Sequence, residues 1–107
     1  MAKFDDFMRG VKTGIIDIAT KEAKDYLGAA QADGQAFLDA LKADLQTWTQ
    51  QLASGALSPG DFAFLVRGKK DLATMNALTQ AGLAAIRIDK IRAAVIELII
   101  TAAGKMV

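Results

Sequence analysis

Apolar residues recur along this chain at alternating steps of three and four, a spacing that leaves little room for anything but helix. Leu38, Leu41, Leu45, Trp48 and Leu52 form one such stripe. Ala77, Ala81, Ala84, Ile88, Ile91, Val95, Leu98 and Ala102 form a second, with small residues in its first half. Steps of three and four bring side chains onto one side of an α-helix, whereas a half-buried strand needs alternation with a period of two. No segment alternates in that way over strand length. Twenty-one alanines and a single proline point in the same direction. The expected fold is all-α: a helical bundle, or a long antiparallel helical hairpin that reverses near residues 54–60. At 107 residues, positions 1–107 make a single all-helical domain.

The first helix is predicted to begin near Lys3. Phe4, Met8, Val11, Ile15 and Ile18 line one face, continued by Ala19, Ala23 and Tyr26, while Asp5, Arg9, Lys12, Asp17, Lys21 and Lys24 occupy the other. Asp5–Arg9, Asp17–Lys21 and Lys21–Asp25 are spaced for ion pairs along that surface. Gly10 and Gly14 could mark a face of close helix approach; the plainer expectation is that they loosen an exposed stretch. Residues 28–34 hold two glycines and could form a loop with Asp33 capping a new helix. Tyr26, Ala30, Asp33, Phe37 and Leu41 carry the stripe through without interruption, however, and favour a continuous, bent helix. The clear break is Ser54 to Asp61. Gly55 suits a left-handed C-terminal cap, Ser58 an N-cap, and Pro59 the first helical position, with Phe62, Leu65 and Val66 facing inward. Arg67-Gly68-Lys69-Lys70-Asp71 is a second candidate break, with Asp71 able to cap a last helix running from Leu72 to about Ala103.

The composition bears more on chemistry than on shape. There is no cysteine and no histidine, which removes thiolate nucleophiles, zinc–thiolate sites and the commonest general base. Arg67-Gly68-Lys69-Lys70 does not make a phosphate loop, because the glycine spacing and the hydroxyl residue of that motif are missing. Arg87, Lys90 and Arg92 fan around a helix without an aromatic residue to stack on bases; a solvated collar with an Asp89–Arg92 pair is expected, and no nucleic-acid partner. Net charge is +1. Residues 1–54 carry six basic against eight acidic residues and residues 55–107 seven against four, so the two halves should attract weakly. No pair of carboxylates converges by spacing, and no catalytic residue, metal ligand or cofactor is expected; the chain does not read as an enzyme.

One segment demands cover. From Ala93 to Ala103 every lane of the last helix is apolar except for Glu97 and Thr101, and a helix apolar all round is normally buried all round. Three or four helices should cover only one side of it. Self-association through this helix is therefore expected, with Trp48, Ile88, Ile91, Val95, Ile96, Leu98 and Ile99 as candidate interface residues and a homo-oligomer as the assembly. A heterologous protein partner is the next choice. A less favoured alternative is a membrane-surface protein that inserts the same helix, since Arg87, Lys90, Arg92 and Lys105 flank it. With charges every few residues at the N-terminus and an apolar run too short to cross a bilayer, the expected location is cytoplasmic.

Overall fold

The computed structural model describes residues 2–105. Five α-helices account for most of them: α1 (Ala2–Glu22), α2 (Leu27–Ser54), α3 (Pro59–Arg67), α4 (Asn76–Ala81) and α5 (Ala85–Gly104). Single 3-10 turns lie at Lys24–Tyr26 and Lys70–Leu72, and there is no strand among the described residues. At 1.5 Å per residue the 28 residues of α2 span about 42 Å, which sets the long dimension of a molecule measuring 43 × 24 × 19 Å. The all-α expectation holds.

The turn at residues 54–60 forms as its residues dictate. Gly55 adopts φ 83°, a left-handed conformation that glycine enters without a Cβ penalty. Its N–H donates to the Leu52 carbonyl at 3.3 Å. The Ser58 hydroxyl accepts from the Asp61 N–H at 3.1 Å, and Pro59 opens α3. A side-chain cap of this kind stabilises a helix by about 1 kcal/mol. Phe62 and Val66 are buried as expected, and Leu65 is half-buried.

Two further reversals depart from the expected outline. Residues 28–34 are continuous helix, as the stripe implied, but the chain has already turned at Ala23–Tyr26, so α1 and α2 are separate helices folded against each other. Ala23 leaves helical geometry at φ −145°, and no side chain caps the start of α2. The last helix is also divided. Residues 70–72 form a 3-10 turn with no cap from Asp71, α4 follows, and Gly82 at φ 92° ends it before α5 begins at Ala85. The first half of the alanine-rich seam therefore never forms one helix with the second: Ala81 and Ala84 are exposed, while Ile88, Ile91 and Val95 are buried.

α5 packs against all four other helices, most extensively against α1. The buried cluster draws Phe7, Val11 and Ile15 from α1, Phe37, Leu38, Leu41 and Leu45 from α2, Phe62 and Val66 from α3, Leu78 from α4, and Ile91, Val95 and Ile99 from α5. α1 and α5 run antiparallel: Gly14 lies under Leu98, and the Arg87 guanidinium donates to the Glu22 carbonyl at 2.7 Å. Gly14 is thus a close-approach glycine after all, whereas Gly10 has nothing within 4 Å of where a Cβ would sit.

The glycines at 14 and 34 look alike but should respond differently to substitution. A Cβ on Gly34 would fall 2.6 Å from Ile15 Cγ2, a methyl on the stiff branched carbon of a buried side chain. A Cβ on Gly14 would meet the Cδ atoms of Leu98 at 2.5 and 2.7 Å, the mobile end of a half-exposed side chain. Gly34→Ala should destabilise by about 1–2 kcal/mol, despite alanine's advantage in helix propensity of about 1 kcal/mol. Gly14→Ala should be nearly neutral. Thermal melts of both variants decide the matter; equal melting temperatures would mean that α1 and α2 are not packed this closely at Gly34.

Candidate functional site

The charged side chains largely serve the fold. Arg67 on α3 and Glu97 on α5 form a two-pronged pair, Nε and Nη2 each donating to a carboxylate oxygen at 3.0 Å. The hydrogen bonds and charge of Glu97 raise the already high pKa of Arg67, so its charge is never in question. Lys69 pairs with Asp44 of α2 at 3.7 Å, and Lys90 with Glu22 of α1 at 3.2 Å. These last two pairs join the acidic first half of the chain to its basic second half, in the sense the charge distribution implied. Arg9 pairs with Asp6 at 3.1 Å rather than with Asp5. All these pairs are partly or well exposed, so solvent screens them and they add little to stability.

The basic collar of α5 is likewise engaged. The expected Asp89–Arg92 pair is present, and Arg92 Nε also donates to the Ala73 carbonyl at 2.7 Å. Arg92 thereby holds the segment before α4 against α5. A groove of about 500 Å³ lies here, lined by Lys70, Asp71, Thr74, Asp89 and Arg92 among others. Its two cations face two carboxylates, and the guanidinium is already bonded to the fold.

Asp33 does what sequence spacing could not suggest. It is buried on α2, and its two carboxylate oxygens accept from the Ala77 and Leu78 N–H groups at 2.9 and 2.8 Å. Those amides belong to the first turn of α4, which has no cap of its own because its N-cap position is Met75. A carboxylate from a distant helix thus satisfies donors that a local serine or aspartate normally would. Among the described residues, no group of three or more carboxylates gathers as a metal site would require.

The candidate interface residues are brought together, but inside the molecule. Ile91, Val95 and Ile99 are essentially inaccessible; Ile88 and Ile96 are buried at 6% exposure each. Leu98 is half-buried over Gly14, and Trp48 packs edge-on against Phe62 with ring centroids 6.5 Å apart. Most apolar lanes of the C-terminal helix are covered by helices of the chain itself, which leave open the lane of Ile86, Ala93 and Glu97 and so cover more than the one side expected of them. They do so because α1 and α2 are separate helices and α3 and α4 are short, so several elements fit around one 20-residue axis.

What the fold leaves uncovered is different. Ile86 is 79% exposed and Phe64 76%. Ile86, Ala93 and Glu97 fall on one lane of α5, because eleven residues return to nearly the same angle after three turns. Phe64 precedes Arg67 by three residues on α3 and shares its side of that helix, and Arg67 is bonded to Glu97. The lane of Ile86 and Ala93 on α5 is thus joined to the side of α3 that carries Phe64 by the Arg67–Glu97 pair. The exposed phenylalanine broke no pattern in the sequence; only the hydrophobic step it adds between Phe62 and Val66 could have drawn attention to it.

No protein-family model, curated protein or solved structure matches this chain.

Proposed function

We propose that this chain is a structural, protein-interaction helical bundle that associates with copies of itself, through the outer face shared by α3 and α5. What supports this is the exposure of two large apolar side chains, Phe64 on α3 and Ile86 on α5, with the Arg67–Glu97 pair joining the two helices. Burying a side chain of that size is worth about 1.5–3 kcal/mol, and a symmetric contact repeats the gain on each subunit. The inner lanes named from the sequence, including Ile96 and Ile99, serve the core in this reading. No helix is long and apolar enough to cross a membrane among the described residues. Insertion of α5 into a lipid surface would require it to leave α1 and α3, breaking the Arg67–Glu97 pair and the Leu98–Gly14 contact.

Sedimentation velocity over a concentration series tests the assembly. The protein should run heavier than its 11.3 kDa monomer, and a double variant Phe64→Glu, Ile86→Glu should return it to the monomer. Both positions are exposed, so the variant should melt within a few degrees of the parent. A parent that stays monomeric at the highest attainable concentration would refute the proposal.

A further inference from the structure

At one end of the α1–α5 pair lies an open slot of about 530 Å³, within the range of small-molecule sites. Phe7 and Gly10 line it from α1, and Leu98 and Ala102 from α5. The slot exists because Gly10 and Ala102 leave side-chain space unfilled where two helices face each other. Nothing lies within 4 Å of a Cβ built on Gly10. One turn farther along, Leu98 fills the equivalent space above Gly14 and closes the slot.

Its other end is cationic. Because the helices are antiparallel, Lys3 near the start of α1 and Lys105 just beyond α5 come to the same end, and both line the slot. Neither has an ion-pair partner among the described residues. The acidic side chain at the rim, Asp6, is paired with Arg9. Apart from Asp6 and Thr101 the lining between the lysines and Leu98 is apolar, and with two cations at one mouth it matches an amphiphile with an anionic head. From Lys3 to Gly10 is seven residues, about 10 Å along α1, which an extended alkyl chain of about eight carbons spans. We propose that this slot binds a medium-chain carboxylate, with its head between Lys3 and Lys105 and its chain lying over Phe7 and Gly10 against Leu98 and Ala102.

Octanoate is the probe, titrated below its micelle concentration into the full chain while amide chemical shifts are followed. Saturable shifts centred on Phe7, Gly10, Leu98 and Ala102 are expected. Gly10→Leu should abolish them by filling the slot, and the variant should remain folded, since the new side chain enters open space and leucine is the better helix former. Its melting temperature, measured alongside, separates a filled slot from a lost fold. The double variant Lys3→Gln, Lys105→Gln should weaken binding by about tenfold, in line with removal of charged partners. Octyltrimethylammonium should fail to compete. The proposal is overturned if octanoate gives no saturable shifts, if folded Gly10→Leu binds as the parent does, or if the cationic amphiphile binds equally well. Gly10-dependent sedimentation with phosphatidylglycerol vesicles, without binding of free octanoate, would also overturn it by making a lipid surface the ligand.

Discussion

Ile99→Glu should unfold the protein rather than dissociate an assembly. Ile99 has no measurable exposure and lies in the lane of α5 that faces the other helices. The substitution forfeits about 1.5–3 kcal/mol of apolar burial. It also places a carboxylate where no partner waits, a penalty of several kcal/mol whether the group stays charged or takes up a proton. The sum approaches the whole stability of a domain this size, about 5–15 kcal/mol. Circular dichroism should show most of the helix lost, or a melting temperature lowered by tens of degrees. The single change Ile86→Glu, thirteen positions earlier on an exposed lane of the same helix, should leave the spectrum intact. If Ile99→Glu keeps full helicity and instead lowers the solution mass, α5 does not sit inside its own bundle.

The next largest effect is expected at Asp33. Asp33→Ala removes two charge-assisted hydrogen bonds at once and leaves the Ala77 and Leu78 amides without acceptors. Hydrogen bonds to a charged group contribute about 1.5–3 kcal/mol each, and their energies do not simply add. A loss of about 3 kcal/mol is expected in a denaturant titration. The damage should be local first. α4 has six residues, too few to persist without tertiary support, and it follows Met75, a non-glycine residue at φ 55°. That conformation costs about 1–2 kcal/mol, held in place by the buried Met75 side chain and by the clamp from Asp33. Amide exchange at Ala77 and Leu78 should therefore accelerate well before global unfolding. Asp33→Asn, which keeps one acceptor oxygen, should fall between the two. Unchanged exchange at both amides in Asp33→Ala would show that the clamp does not hold α4.

The helical class, the inward faces of α1 and α2 and the Ser54–Asp61 turn were all legible in the sequence. Each depends on chemistry within a few residues: apolar spacing that matches 3.6 residues per turn, Gly55 free to take positive φ, Ser58 able to reach the Asp61 amide, and Pro59 set for the first helical position. Local chemistry of that kind acts the same way in any fold. The exposed outer lane was harder to see, because Phe64 and Ile86 are apolar residues in apolar surroundings of sequence, and only packing decides which of several such residues is left outside.

Tertiary structure decided the rest. The reversal at Ala23–Tyr26 contains no glycine or proline and no side-chain cap; Ala23 is fully buried in the bundle, and beside it Arg87 bonds the Glu22 carbonyl and Lys90 pairs with the Glu22 carboxylate. The start of α4 has its cap 44 residues away in Asp33. α5 begins at Ala84–Ala85 with no polar side chain to announce it, so Gly82 alone could not distinguish a break from a glycine tolerated within a longer helix. At the first two of these places the groups that meet a helix end are supplied from elsewhere in the chain, and they come within hydrogen-bonding distance only once the bundle has closed. The same closure determined the fate of the apolar C-terminal segment. Read by itself it demands burial on every side, and the sequence states that demand correctly. Whether a second molecule or the chain's own helices meet it depends on how many separate helices the chain divides into, and that number was set by contacts between residues far apart in sequence.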